Sequence, residues 1–219
     1  MNAMLLEMQS LLACVNDAPL EHRITDFLID DAGHCGMLLG RGLAAEEDEQ
    51  VLLYEYAASA ALSVYIDAGV IERLGHDNPL QHLSNVNIDD FCTALEGISH
   101  FQYLAWCIER SRQVSLLELE LQAEVDKYAV ATCLFMRQGR GRFHAGLHRR
   151  MFSCVGFLPS LDETTRRRYA EANRGAARFC RRNDERFLNC RRPSFACWLT
   201  ELRGLFRCGH HEKLRRALG

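Results

Sequence analysis

The sequence predicts an all-α protein: a single-domain helical bundle of six to seven helices centred on an antiparallel helical hairpin. Three observations point there. Apolar side chains recur three and four apart over most of the chain, which puts them on one face of a helix, while alternating strand-like runs are almost absent. Only four prolines interrupt the helical patterns. The 219 residues are 48% hydrophobic and 25% charged, ordinary globular proportions with enough chain for one sizeable core.

Met1 to Val15 carries Leu5, Met8, Leu12 and Val15 on one side, an amphipathic helix suited to covering a core edge. Asn16 to Gly42, with Asp30-Asp31-Ala32-Gly33-His34 and further glycines, reads as turns. Its glycines match no phosphate-binding spacing and its acids would repel phosphate, so a connector is expected. Glu46 to Leu74 opens with Glu46-Glu47-Asp48-Glu49, acids that suit a helix start, and continues through Leu52, Leu53, Tyr56, Ala60, Leu62, Val64 and Ile66. A long central helix is expected there, interrupted if anywhere at Gly69, with Glu55 and Asp67 as carboxylates of unfixed rotation. His76-Asp77-Asn78-Pro79 is a turn, which makes His76 and His82 exposed loop histidines.

The hairpin spans Ile88 to Met136. Phe91, Ala94, Ile98, Phe101, Ala105 and Ile108 form the stripe of its first arm, with Asn87 as N-cap and Asp89 and Asp90 at the positive end of the helix. Leu117, Leu121, Val125, Tyr128, Thr132 and Phe135 form the second stripe; Ser115 and Glu118 fit a capping box, and Gly139 and Gly141 mark its end. The short link Arg110-Ser111-Arg112-Gln113 folds the arms back on each other.

That fold-back generates the one chemical constellation in the chain. With the turn centred near Arg112, His100 faces the level of Glu124, and Glu96 that of Tyr128. Glu96 and His100 share a face four residues apart, as do Glu120 and Glu124. Glu96, His100, Glu120 and Glu124 are therefore the candidate metal ligands, and carboxylate with imidazole on facing helices suits iron or manganese. The usual Glu-x-x-His spacing is replaced by a single Glu-x-x-x-His. Lys127, three after Glu124, can satisfy part of the acidity as an ordinary ion pair.

After the hairpin, Arg140, Arg142, Arg149 and Arg150 surround His144 and His148, whose four-residue spacing could hold a metal but lacks the glutamate of the zinc-protease motif. Further helices are expected over Asp162 to Phe187, Ser194 to Cys208 and on to Leu218, broken at Pro159-Ser160 and Arg192-Pro193. Cys190, Cys197, Cys208, His210 and His211 lack the close cysteine spacing of a zinc module. The ten cysteines are scattered, which favours packing roles such as those of Cys92, Cys107 and Cys133 over a disulfide framework. No export-type run and no apolar run of spanning length is present, so a cytoplasmic chain without a membrane partner is expected.

Charge is divided along the chain. Residues 1–136, the acidic bundle core, hold 6 basic and 22 acidic side chains, a balance of −16. Residues 137–219, the arginine-rich helical segment, hold 20 and 7, a balance of +13. The two parts are expected to attract each other within the fold. The function expected first is that of a non-enzymatic adaptor or regulator acting through helix surfaces, with an unknown protein partner or by self-association as a dimer. The alternatives are a metal-dependent oxidoreductase of the di-iron or manganese carboxylate type, and nucleic-acid binding through the arginine-rich segment.

Overall fold

The structure, a computed structural model, describes residues 2–29, 31, 35, 48–56, 59–139, 146–154, 156, 159, 161–191 and 194–219. The helices among them are α1 (Asn2–Asn16), α2 (Ala68–His76), α3 (Ile88–Ile108), α4 (Leu116–Gln138), α5 (Leu147–Phe152), α6 (Glu163–Leu188), α7 (Phe195–Arg207) and α8 (His210–Leu218). A small sheet is ordered β1 (Leu28–Ile29), β3 (Ser59–Ile66), β2 (Glu49–Tyr56), with β1 parallel and β2 antiparallel to β3. The architecture is mostly helical, a bundle built on the α3–α4 hairpin as the sequence predicts. None of the described helices is long and apolar enough to cross a membrane.

The hairpin closes by local chemistry. Ser111 adopts a left-handed conformation at φ 50°, and the Arg112 N–H returns to the Cys107 carbonyl at 2.9 Å, satisfying a terminal carbonyl of α3. Ser115 caps α4, its Oγ accepting from the Glu118 N–H at 3.2 Å, and Gly139 ends that helix. Glu118 does not complete the capping box, because its side chain is buried elsewhere. Asn87 stands at the N-cap of α3 but accepts from Ser84 N–H and donates to the carbonyls of Asp77 and His82, so it ties the incoming loop instead of capping the helix.

Phe91, Ala94, Ile98 and Phe101 are fully buried along α3, as are Leu121, Val125 and Tyr128 along α4. Leu5, Met8 and Leu12 of α1 join them in one contiguous apolar core that also takes in Leu62, Val64 and Ile66, Phe179 of α6 and Trp198 of α7. Cys107 and Cys180 pack within it, and Cys92 and Cys133 against it, as small apolar side chains.

The long helix expected over Glu46 to Leu74 is replaced by β2, β3 and the short α2. Leu62, Val64 and Ile66 alternate inward onto the main core while Tyr65 joins Leu52 and Cys35 on the other face, a period of two that dense apolar composition hid. Gly69 is no interruption: Asp67 caps α2 through the N–H groups of Gly69 and Val70. Close approach of sheet and bundle depends on Gly97, where a Cβ would stand 3.1 Å from both Glu49 Cγ and Val64 Cγ1.

The expected attraction between acidic and basic parts is realised by some arginines. Arg150 donates to Asp89 at 2.6 Å, Arg207 to Asp17 at 2.7 Å, and Arg203 to the carbonyls of Cys14 and Val15. Others pair within their own segment, Arg167 with Glu163 and Arg186 with Glu201, and Arg174, Arg178 and Arg181 are exposed along α6.

Candidate metal centre

Three elements converge between the sheet and the middle of the hairpin. Glu96 and His100 lie one turn apart on α3, Glu120, Glu124 and Lys127 follow one another on α4, and Glu49 opens β2. His100 is buried between carboxylates: Nδ1 stands 3.3 Å from Glu49 Oε1 and Nε2 3.5 Å from Glu120 Oε2. The ligand atoms of Glu96, His100 and Glu120 all lie within 4.8 Å of one another. Glu124 is linked to them through Lys127, whose ammonium donates to Glu96 Oε2 at 2.7 Å and to Glu124 Oε1 at 3.0 Å. From α6, Arg168 Nε approaches Glu120 Oε1 to 3.7 Å.

The structure brings His100 to Glu120 in place of the expected Glu124, about one turn away, and Glu124 to Lys127, the ion pair that their spacing allowed. The sequence did not reveal Glu49, read as a helix start, and assigned Arg168 no place beyond the general attraction expected between the arginine-rich segment and the acidic core. The signal for Glu49 was the alternation of Leu62, Val64 and Ile66, which implies a strand partner beside α3.

Burial and charge compete in this cluster. Burial opposes charge on His100, and Glu49 and Glu120 outweigh it, holding the imidazole protonated well above its usual range. Burial raises Glu49 against the pull of His100, and raises Glu124 against that of Lys127. Against the same cost of burial, Lys127 holds Glu96 below the ordinary carboxylate range. Tyr169, beside Arg168, is pushed up to about 12 by burial and by the Glu120, Glu96 and Glu49 charges. Four carboxylates here meet two permanent cations, Lys127 and Arg168, which leaves a formal −2 for protons or a dication to balance. Glu124 and Lys127 also line a cavity of about 330 Å³ with Cys92, Arg150 and Met151, so the cluster borders a space that a small molecule can enter.

Nearer the hairpin turn the same helices hold a second buried polar group. Tyr103 donates to Glu118 Oε1 at 2.5 Å, and Arg112 donates to both. Lys213 of α8, fully buried, donates at 2.6 Å to the Tyr103 hydroxyl and to Gln122 Oε1, and Gln122 passes a hydrogen bond on to Asp126. Burial lowers Lys213 to about 7, with Arg112 adding to the effect and Glu118 opposing it.

The remaining sequence candidates are dispersed. His148 lies against the Ala177 carbonyl, 2.8 Å from Nε2, and stacks with Phe152. His144, Arg140, Arg142, Gly141, Ser160, Arg192, Pro193, Glu46, Glu47, Asp30 and residues 32–34 lie outside the described residues, as does the side chain of Glu55. His210 faces Ser115 and Glu118, Cys208 Sγ donates to the Gly204 carbonyl, and His76 and His82 are exposed. Among the described residues, Glu96, His100 and Glu120 are the group of three or more such side chains close enough to share an ion. No protein family, curated protein or solved structure matches this chain.

Proposed function

We propose that the protein is a metal-dependent oxidoreductase holding one iron(II) or manganese(II) ion on Glu96, His100 and Glu120 inside the bundle. The observation that carries this reading is His100 Nε2, a buried nitrogen without a close hydrogen bond that stands 3.5 Å from Glu120 Oε2, where an ion would displace the second proton of the imidazole. When Nδ1–H donates to Glu49, the lone pair sits on Nε2, the carboxylate–histidine arrangement that orients an imidazole for a metal. Two carboxylates and one imidazole are hard oxygen and nitrogen donors, suited to these ions, and three protein ligands leave positions open for a substrate. Bonds of about 2.0–2.2 Å put ligand atoms at most about 4.4 Å apart, so the observed spread closes by a few tenths of an ångström on binding. A dication would also balance the formal −2. Lys127 stands between Glu96 and Glu124, where the second ion of a two-metal site would sit, which favours one ion over two. The ion would supply redox chemistry; Glu124, on the cavity wall and raised by burial, is placed to exchange a proton with a cavity-bound molecule, while Lys127 holds Glu124 and Glu96 in place.

A second reading is favoured by the same Lys127 and Arg168 contacts: the cluster is an ionic brace in a non-enzymatic protein that acts through its surfaces. Elemental analysis of protein purified without chelator, followed by manganese(II) titration, separates the two. The enzyme reading expects about one ion per chain, lost in His100→Ala and in Glu96→Gln. Absence of uptake by the wild type at millimolar manganese, with both variants folded, would leave the brace.

A further inference from the structure

A groove of about 460 Å³ runs between α6, α7 and α8, and none of the carboxylate cluster lines it. Arg182 and Arg186 enter from α6, Arg216 from α8 and Glu201 from α7, with Phe179 and Asn183 also in its wall. Its wall carries three guanidinium groups and one carboxylate, and a second carboxylate, Glu212, pairs with Arg216, which leaves a formal excess of +1. Each arginine is anchored at one edge. Arg182 donates to the carbonyls of Arg216 and Gly219 at the C-terminal end of α8. Arg186 Nη1 lies 3.3 Å from Glu201 Oε2, and Arg216 Nε donates to Glu212 Oε1 at 2.7 Å. A guanidinium has five donors, so these anchors leave N–H groups on Arg186 and Arg216 for whatever enters.

Gly204 leaves the groove open beside Arg216: a Cβ there would stand 3.2 Å from Arg216 Nη1. We propose that this groove binds a phosphate group, free or carried by a small molecule. That positive excess, with the free guanidinium N–H groups, suits a phosphate monoester, whose oxygens fit the guanidinium fork in pairs. The volume lies within the range of small-molecule sites. Phe179 offers an apolar wall for the organic part. Glu201 disfavours a continuous line of phosphates, and the exposed Arg174 and Arg181 that would serve a nucleic acid lie outside the groove.

The full chain is titrated calorimetrically with adenosine 5′-monophosphate, with inorganic phosphate and with a short single-stranded RNA. Adenosine monophosphate is expected to bind at submillimolar concentration, weakened about tenfold by Arg216→Gln or Arg186→Gln. Gly204→Leu, which fills the groove and keeps every arginine, should abolish binding, and the double variant Arg174→Gln/Arg181→Gln should leave it unchanged. Equal affinity for inorganic phosphate would keep the site and make the free anion its occupant. The proposal is overturned by absence of binding of either phosphate at 10 mM, by binding that survives Gly204→Leu, or by RNA binding alone that is lost with Arg174 and Arg181.

Discussion

Towards the sheet, the seam between α3 and α4 holds four carboxylates around His100, Lys127 and Arg168; towards the hairpin turn it holds Glu118 and, through Gln122, Asp126, around Arg112 and Lys213. Both groups are buried along the same two helices, yet only the first is out of balance: its four carboxylates outnumber its two permanent cations, whereas Glu118 and Asp126 match Arg112 and Lys213 in number. The acid-rich end keeps His100 protonated and borders a cavity. At the end near the turn, burial pushes Lys213 towards its neutral form, and α8 seals the group. Surplus negative charge holds cations, whereas burial of a charge-balanced group favours neutral forms, so binding chemistry belongs at the first end and anchoring of α8 at the second.

The largest test of that contrast removes one charge from each end. Glu118→Ala takes the acceptor from Tyr103 and Arg112, and Lys127→Met leaves Glu96 and Glu124 facing each other; each is expected to lose about 3–5 kcal/mol in urea unfolding. Manganese(II) should restore much of the loss in Lys127→Met, where a dication can replace the ammonium, and none in Glu118→Ala. Rescue of both, or of neither, would erase the distinction between the ends.

Much of the acid-rich end was legible because helices impose it. Residues four apart share a face and antiparallel arms share a level, so Glu96, His100, Glu120 and Glu124 could be gathered from spacing alone. The offset that pairs His100 with Glu120 was not legible, since it depends on how Ser111 closes the turn at positive φ, a conformation disfavoured for serine. Glu49 was hidden for a different reason. A strand buried on one face by Leu62, Val64 and Ile66, in a chain otherwise helical, has a local pattern that an apolar helix also satisfies, and only the approach at Gly97 decides it. The end near the turn was unreadable because Lys213 reaches Tyr103 across 110 positions of sequence, with no periodicity to announce the contact.

The next effect concerns pH. Lys213 titrates near 7 in the fold and near 10.5 when unfolded, so between those values the unfolded chain binds the extra proton. Its contribution is complete above about pH 10 and is lost as pH falls towards 7, by up to roughly 4 kcal/mol. Tyr103, Gln122, the Phe206 carbonyl, Glu118, Arg112, Asp126 and Cys107 surround it, and His100, held protonated above its usual range, tilts stability the other way as pH rises. The measurement is accordingly the difference between wild type and Lys213→Met over pH 7–10, with metal removed. Parallel curves would show that the lysine keeps its proton in the fold despite its burial.

The smallest expected change comes from Arg168→Gln, and it separates the two readings of the acid-rich end. Arg168 Nε is buried without a hydrogen bond and stands 3.7 Å from Glu120 Oε1, so its contact with the cluster is electrostatic. With 22% of its side chain exposed, losing that pair should cost under about 1 kcal/mol in stability. Its charge, however, repels any dication on Glu120. Two charges against one at about 6 Å amount to roughly 1.4 kcal/mol even at the dielectric constant of water, so manganese(II) should bind the variant about five- to tenfold more tightly. A brace predicts the reverse order of magnitudes, because an arginine kept to neutralise Glu120 would be missed in folding and would have no ion to repel. Loss of several kcal/mol without any gain in manganese affinity would thus assign Arg168, and with it Glu96, His100 and Glu120, to holding the bundle together.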